Sequence, residues 1–363
     1  MENNKTKNII FSIVFLFSIA IPFPIFLFSN GGFNVKHIES IIEESPTVSI
    51  FNAVDKDFKD SYGLRKPYLQ AHTQFKYNFL KTSTLPKKVV VGEEGWFYVG
   101  NRYSNSITET LKGSNFTMKQ KNKILRKLNF NKAWLDSMGI FYLTCVAPSK
   151  LSVYPKYYYS KKNKGKSKFE DLRSFLSKKE WNLIDLKTKI LQKKDSVRLY
   201  HKTDSHWNDE GAYLGYLTLI KELQVKYPKI IPVSLSRFKR LEVDSVYMDL
   251  TGMLGLKNIE NRIVYKQINS EVIELKSRYE IRPGASCDDW EYELRYKNKN
   301  GLPFKVMIIR DSFSRALIKY LTETFEEVVL IWDRKINRSM VEEENPDILI
   351  QEIIERDIEV FIE

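Results

Sequence analysis

Cysteine is nearly missing from this chain of 363 residues. There are two, Cys145 inside the apolar run Phe141 to Val146 and Cys287 in a polar stretch. Two thiols in such different settings exclude a disulfide framework and a cysteine-built metal site, and both are expected to be free. Histidine is scarce as well, at four, which leaves few nitrogen ligands for a metal. No internal repeat is present. Acidic side chains are in deficit, 45 against 58 Lys and Arg, for a formal charge of +13. Such a charge concentrates anionic partners: acidic polysaccharide, phospholipid head groups or nucleic acid. With 43% hydrophobic residues, the chain has ample material for a packed core, and disorder is not the default reading.

Long uncharged runs are also missing, with one exception. After the cationic Met1 to Asn8, the 20 residues from Ile9 to Phe28 carry no charge and are interrupted only by Ser12, Ser18, Pro22 and Pro24. At ~1.5 Å per residue a helix of that length spans a hydrocarbon core of ~30 Å. Lys5 and Lys7 precede it, so the positive-inside rule puts the N-terminus in the cytoplasm and the rest outside. The expectation is a single-pass anchor in a bacterial inner membrane, residues 1–30, with an extracytoplasmic domain. A cleaved signal peptide releasing the chain to the periplasm is the competing reading, although Ser29-Asn30-Gly31 makes a poor cleavage site. Either way nucleic acid drops out as a partner.

Residues 31–85 read as a helical lead-in, with Phe58, Tyr62, Tyr68, Phe75 and Phe79 at helix-like intervals. Val89 to Val91 and Trp96 to Val99 flank Gly92-Glu93-Glu94-Gly95 as a hairpin, and a polar helix covers Met118 to Met138. The pattern then alternates. Strands are expected at Ile140 to Val146, Trp181 to Leu186 and Val197 to Tyr200, with helices at Phe169 to Lys178, up to Lys194, and from Asn208. In the last, Tyr213, Tyr216, Leu217, Ile220 and Leu223 line one apolar face. A looser, antiparallel insert occupies about 232–296. Val306 to Ile309 reads as a central strand, Asp311 opens a helix to about Phe325, and Glu327 to Trp332 and Ile348 to Ile350 supply further strands. Alternation of this kind predicts an α/β domain over 86–363, three-layered, with a mostly parallel sheet.

Two segments carry candidate chemistry. In Thr203-Asp204-Ser205-His206-Trp207-Asn208, an Asp two residues before a His can accept its Nδ1 proton, which fixes the tautomer and frees Nε2 as a base. Trp207 is a candidate wall for the imidazole. The plainer reading is that Asp204, Ser205 and Asn208 cap the following helix. His201, Asp204 and His206 are all metal-ligand types, but no further partner is in view, and no metal or cofactor is expected. The second segment places Ser312 at the C-terminal end of a buried strand and the start of a helix, where a parallel sheet binds ligands and free N–H groups stabilise an oxyanion. Again the plainer reading is capping, by Asp311, Ser312 or Ser314. Together the two segments supply a nucleophile and an acid-oriented base, which covalent acyl transfer requires.

The Thr203-to-Asn208 segment followed by Gly211-Ala212, and the later Asp311-Ser312-Phe313, resemble the signatures of the alginate O-acetyltransferases AlgJ and AlgX of the SGNH hydrolase superfamily. Val91 to Phe97, Val146 to Lys150 with Val153-Tyr154-Pro155, Pro346-Asp347 and Glu355-Arg356 agree with it, so the resemblance runs from about Asp57 to the C-terminus. It implies Ser312 as nucleophile, His206 as base and Asp204 as its orienting acid. Because the Ser follows the Asp-His pair in the chain, it also implies a circularly permuted SGNH-like sheet. Arg310 stands where the family usually has Gly, which bears on the tightness of the turn. Asp311, Arg310, Lys150, Tyr154 and Trp207 are further candidates to line the site; Lys150 and Tyr154 read more simply as a loop staple, and Asp249 as a turn or cap residue.

The resemblance implies acetyl transfer to hydroxyls of an exported, anionic polysaccharide, with a multi-pass membrane O-acyltransferase supplying the acetyl group. Two rival readings stay open: a polysaccharide acetylesterase, which needs the same three residues, and a non-catalytic scaffold of a polymer-secretion complex.

Overall fold

The apolar run at 306–309 becomes the centre of a strand, because a residue there meets a covered face whichever way it points. That strand stands in the middle of a seven-stranded sheet in the computed structural model. The structure describes residues 34–44, 49–61, 65–113, 115–158, 166–244, 248–257, 260–283, 285 and 287–362, with scattered positions between 9 and 24. The chain divides into two units, Met1–Thr84 and Leu85–Glu363.

The first unit contains helices α1 (Val35–Glu44), α2 (Ile50–Ser61) and α3 (Arg65–Leu80). Asp57 of α2 is fully buried and accepts hydrogen bonds from the Asn34 N–H and the His37 ring, which ties the start of α1 to α2. Among the described residues no helix is long and apolar enough to cross a membrane. The anchor expected at Ile9 to Phe28 falls mostly outside the described residues.

In the second unit the strands are β1 (Val89–Val91), β2 (Phe97–Val99), β3 (Phe141–Ala147), β4 (Leu183–Asp185), β5 (Phe238–Asp244), β6 (Asn261–Gln267), β7 (Ile273–Leu275), β8 (Glu293–Lys297), β9 (Leu302–Arg310), β10 (Phe325–Trp332) and β11 (Ile348–Ile354). The main sheet runs β4-β3-β11-β9-β10-β8-β7. Its first five strands are parallel, and β8 and β7 continue it antiparallel. The principal helices are α4 (Met118–Ser137), α5 (Lys168–Ser177), α6 (Asp209–Lys226), α7 (Asp249–Leu254), α8 (Ile318–Thr324) and α9 (Arg338–Glu344).

Alternation along the strands divides the core into two faces. Val306, Ile308, Val328, Leu330, Ile348 and Ile350 pack with Tyr216, Leu219 and Leu321 of α6 and α8. Met307, Ile309, Val329, Ile331 and Leu349 pack on the other side with Leu135 of α4 and Val341 of α9. This is a three-layer α/β/α arrangement, each fully buried aliphatic contributing about 1.5–3 kcal/mol.

Counted from β9, the spatial order β10-β9-β11-β3-β4 reads 2-1-3-4-5, a common doubly wound order that the chain enters at the fourth strand. The C-terminal end of β9 lies at the switch point of that order, between β10 and β11, where parallel sheets open a crevice.

Three elements differ from expectation. The strand expected at Val197 to Tyr200 shrinks to one bridge, Tyr200 to Trp207, because its neighbours Arg198 and Leu199 spend their carbonyls on Asn208. The helix expected from Asp311 starts as a tight 3-10 turn, Ser312–Leu317, before α8, and ends where Phe325 opens β10. The insert also does more than form a separate antiparallel pair. β5 and β6 do so, but β7 and β8 extend the main sheet.

Candidate active site

The loop between Tyr200 and Trp207 closes because the bridge between them and the Asn208 N–H to Leu199 carbonyl bond (3.0 Å) bring its ends together. Asn208 then caps α6: its side chain accepts from the Gly211 N–H at 2.9 Å and donates to the Arg198 carbonyl at 2.6 Å. A Cβ at Gly211 would lie 2.3 Å from the Leu199 carbonyl oxygen, and one at Gly215 would lie 3.0 Å from the Trp207 ring. The loop packs against α6 only because both positions lack a side chain. With Asn208 as the cap, Asp204, Ser205 and His206 are released for other bonds.

Asp204 uses Oδ1 for His206, accepting from its backbone N–H at 2.9 Å and bonding its Nδ1 at 2.7 Å. His206 Nε2 lies 2.8 Å from Ser312 Oγ. The structure therefore brings Ser312, His206 and Asp204 into one hydrogen-bonded line, though 106 residues separate the Ser from the His. On the serine side the capping role falls to Asp311, whose Oδ1 accepts the Phe313 N–H at 2.8 Å and whose Oδ2 accepts the Ile354 N–H at 2.7 Å. One carboxylate thus joins the serine turn to the end of β11. The Phe313 N–H, being spent on Asp311, does not face a reacting carbonyl. Ser312 and this line border a cleft of about 290 Å³, lined also by His201, Trp207, Asp209, Asp249, Arg262, Phe313, Arg315 and Lys319.

The remaining sequence candidates take other places. Arg310 is 0% exposed at the end of β9; its guanidinium lies over the Trp332 ring and donates to the Glu291 carbonyl at 2.8 Å. It does not line the cleft, and its φ is not positive, so the turn needs no glycine there. Burial pulls its pKa down to about 10. Trp207 lines the cleft but reaches the imidazole through Phe313: its Nε1–H donates to the Phe313 carbonyl at 3.1 Å, and the Phe313 ring centroid is 4.8 Å from that of His206. Tyr154 sits in the core, its hydroxyl accepting from the Leu199 N–H at 3.1 Å. Lys150 lies behind the loop, 5% exposed, with Nζ donating to the carbonyls of Lys202 at 2.7 Å and Asp204 at 2.8 Å beside the Trp96 and Tyr98 rings. The β1–β2 hairpin seats it there, and burial pulls its pKa down to about 7. Lys150 and Tyr154 are thus supports of the loop, not walls of the cleft.

Asp249, read from sequence as a turn or cap residue, belongs to the site. Its N–H donates to Asp204 Oδ2 at 3.0 Å, and its carboxylate accepts from the Ser205 N–H at 2.7 Å and from the Ser205 hydroxyl. It stands 3.6 Å from His206 Nδ1. Asp204, His206 and Asp249 offer a compact set of metal-ligand types, yet each of their oxygens and both ring nitrogens is already engaged in the bonds above. Glu260 is a second missed residue: it accepts from the backbone N–H groups of Lys202 and Thr203, both at 2.9 Å, and pairs with Arg198. No local sequence signal marks either acid, because each acts on a loop more than 40 residues away.

Charge follows from this geometry. Burial by itself would lower the His206 pKa, but the Asp204 charge and hydrogen bond, with Asp249 behind, leave it above the ordinary 6.5. Burial would raise Asp204, and His206 with the two N–H donors outweighs it, holding the carboxyl well below the usual range. Asp249 is raised by burial and then by the Asp204 charge. Beneath the serine turn, Glu352 of β11 is raised by burial and by Asp311, and accepts the Ser314 hydroxyl at 2.7 Å. The arrangement can hold a Ser hydroxyl against a neutral imidazole and stabilise the imidazolium that a proton transfer would create.

The family model described as SGNH hydrolase-like domain, acetyltransferase AlgX, matches residues 89–334. The structure of Bacillus cereus PatB1 is 15% identical and superimposes with a TM-score of 0.52, covering 75% of this chain and 98% of that one. A DHHW family protein from Eubacterium siraeum, also 15% identical, gives 0.53 over 76% and 93%. The O-acetyltransferase domain of Pseudomonas putida AlgJ is 17% identical, with a TM-score of 0.45 over 75% and 92%. A search of curated proteins finds no match.

Proposed function

The chain belongs to the SGNH hydrolase-like family of the acetyltransferase AlgX, and on that premise we propose that it transfers acetyl groups to hydroxyls of an exported polysaccharide through an acetyl-serine at Ser312. The observation that carries this reading is the 2.8 Å approach of Ser312 Oγ to His206 Nε2, with Asp204 2.7 Å from Nδ1.

His206 Nε2 takes the hydroxyl proton as Oγ attacks the carbonyl carbon of the acetyl donor. The tetrahedral intermediate collapses, the bond to the donor's leaving group breaks, and that group departs with the proton from His206. A sugar hydroxyl then gives its proton to His206 and attacks the acetyl-serine, and Oγ leaves and recovers the proton. Asp204 stabilises the imidazolium in both halves and holds the tautomer. The backbone N–H of Ser312 is the proposed oxyanion donor. Residues 9–28 would anchor the chain in the inner membrane, and a multi-pass membrane acyltransferase would supply the acetyl group on the extracytoplasmic side. The charge of +13 suits an anionic acceptor.

Incubation with an activated acetyl ester, followed by intact mass, tests the covalent step. Wild type should gain one acetyl, about 42 Da, and Ser312→Ala none. Equal labelling of both proteins would overturn the serine route. Acetate release without transfer to added oligosaccharide would identify an esterase, and polymer acetylation intact in Ser312→Ala cells would identify a scaffold.

A further inference from the structure

Glu352 is 1% exposed on β11, a strand between β3 and β9 whose seven residues are all buried. A carboxyl group in such a strand is costly, and each one calls for an explanation. The polar residue beside it is explained by structure alone: the Gln351 carboxamide accepts from the Tyr142 hydroxyl at 2.7 Å and donates to the Arg334 carbonyl at 2.9 Å. Glu352 is different. Its Oε1 is buried with no hydrogen-bond partner among the described residues. Its Oε2 is spent on the segment that carries the nucleophile, accepting from the Ser314 hydroxyl at 2.7 Å and from the Asp311 N–H at 3.4 Å. These two donors bracket Ser312 in the chain. In the other direction the Asp311 carboxylate accepts the Ile354 N–H at 2.7 Å, so the serine turn and β11 hold each other through two acids.

Two buried acids this close do not both ionise cheaply. Asp311 accepts two short backbone N–H bonds and feels the Arg356 charge, whereas Glu352 accepts one hydroxyl and one long N–H bond. Burial and the Asp311 charge raise Glu352 well above the usual carboxyl range, against the pull of Arg310. The proton therefore resides on Glu352. A neutral acid offers one carbonyl-type oxygen, which is what the two donors of the turn require. It also sets no second negative charge beneath Ser312, where an oxyanion would develop.

We infer that Glu352 is a positioning residue for the nucleophile: from β11 it clamps the turn from Asp311 to Ser314 and so fixes Ser312 Oγ against His206 Nε2. It does not border the cleft, and it acts only through the turn. The inference takes Ser312 as the nucleophile and rests on the acetyltransferase reading only for the identity of the group transferred.

The test is the reactivity of Ser312 toward a reagent that needs the same Ser–His geometry and no acetyl donor. Full-length wild type, Glu352→Gln, Glu352→Leu and Ser314→Ala are treated with phenylmethylsulfonyl fluoride, and sulfonylation of Ser312 is timed by intact mass and peptide mapping. Glu352→Gln keeps a neutral carbonyl oxygen in place and should react at close to the wild-type rate. Glu352→Leu accepts no hydrogen bond and should be slower by about ten- to a hundredfold, the cost of a misplaced reacting atom. Its cooperative melting should survive, because an apolar side chain suits a buried strand. Ser314→Ala removes one donor, leaves the acid, and should be slowed in the same direction but less. A residue that only supports the fold would give rates that follow the melting temperature, without rescue by Gln. A wild-type rate in Glu352→Leu overturns the inference, as does Glu352→Gln being as slow as Glu352→Leu. Should Glu352→Leu fail to fold, a wild-type rate in Ser314→Ala overturns it instead. Acetylation by an activated ester is measured separately on wild type. Sulfonylation of Ser312 without acetylation would sink the acetyltransferase reading and leave the clamp standing.

Discussion

Asp204 and Asp249 face one imidazole, at 2.7 and 3.6 Å from Nδ1, and their surroundings push them apart. Asp204 is held ionised against its burial by His206 and two N–H donors, whereas burial and then the Asp204 charge raise Asp249 in spite of its bonds from Ser205. Both charges hold His206 above 6.5, and the base is active only when neutral. Acetyl-enzyme formation should therefore rise with pH through a midpoint above 6.5. Removing the Asp249 charge removes a contribution that raises His206, so Asp249→Asn should move that midpoint to lower pH. A pH series of burst rates on both proteins checks the direction, and an unmoved or higher midpoint would count against this role. Asp204→Asn should do far more harm, on the order of 10⁴ in rate, by removing the orienting acid. Single-turnover acylation measures it.

At the scale of elements, each half of the site is held by a capping residue next to a chemical one. Asn208 caps α6 and so leaves Asp204 and His206 free, and Asp311 caps the serine turn and ties it to Ile354. Capping and catalysis were competing readings of the same short segments; they are divided between neighbours. Asn208→Ala should cost about 1 kcal/mol of stability from the cap, with more from the abandoned Arg198 carbonyl bond. Denaturant midpoints at constant slope would show it. The positions of the central strands and of α6 were legible in the sequence because each has its own period: continuous apolar residues at 306–309, and helical spacing from Tyr213 to Leu223. The segment 197–200 carries an apolar strand-like pattern too, yet forms a single bridge. Its pairing was decided by Asn208, which a local pattern does not contain.

Across the whole molecule, every strand of the main sheet and every residue of the cleft lies within Leu85–Glu363. A protein beginning at Leu85 should retain a cooperative fold and form the acetyl-enzyme at a rate within about threefold of the full chain, the order of effect expected when no partner of the site is removed. Circular dichroism melting and intact mass after acetyl-ester treatment check both halves. Loss of cooperative melting would show that the first unit is needed for the fold.

By itself the sequence determined an alternating α/β chain, a serine at the end of a central strand and an Asp-x-His pair just before a helix, because hydrophobic period and residue type are local properties. Only the tertiary structure decided that those three side chains meet, that Arg310 turns away under Trp332, and that Lys150 braces the loop without lining the cleft. It also brought in Asp249, Glu260 and Arg262 from a distant stretch of chain. The physical reason is that hydrogen bonds and buried charges depend on distance in space. In a wrapped 2-1-3-4-5 sheet, the serine turn at the switch point is met by a loop 106 residues earlier in the chain, a pairing no local pattern contains.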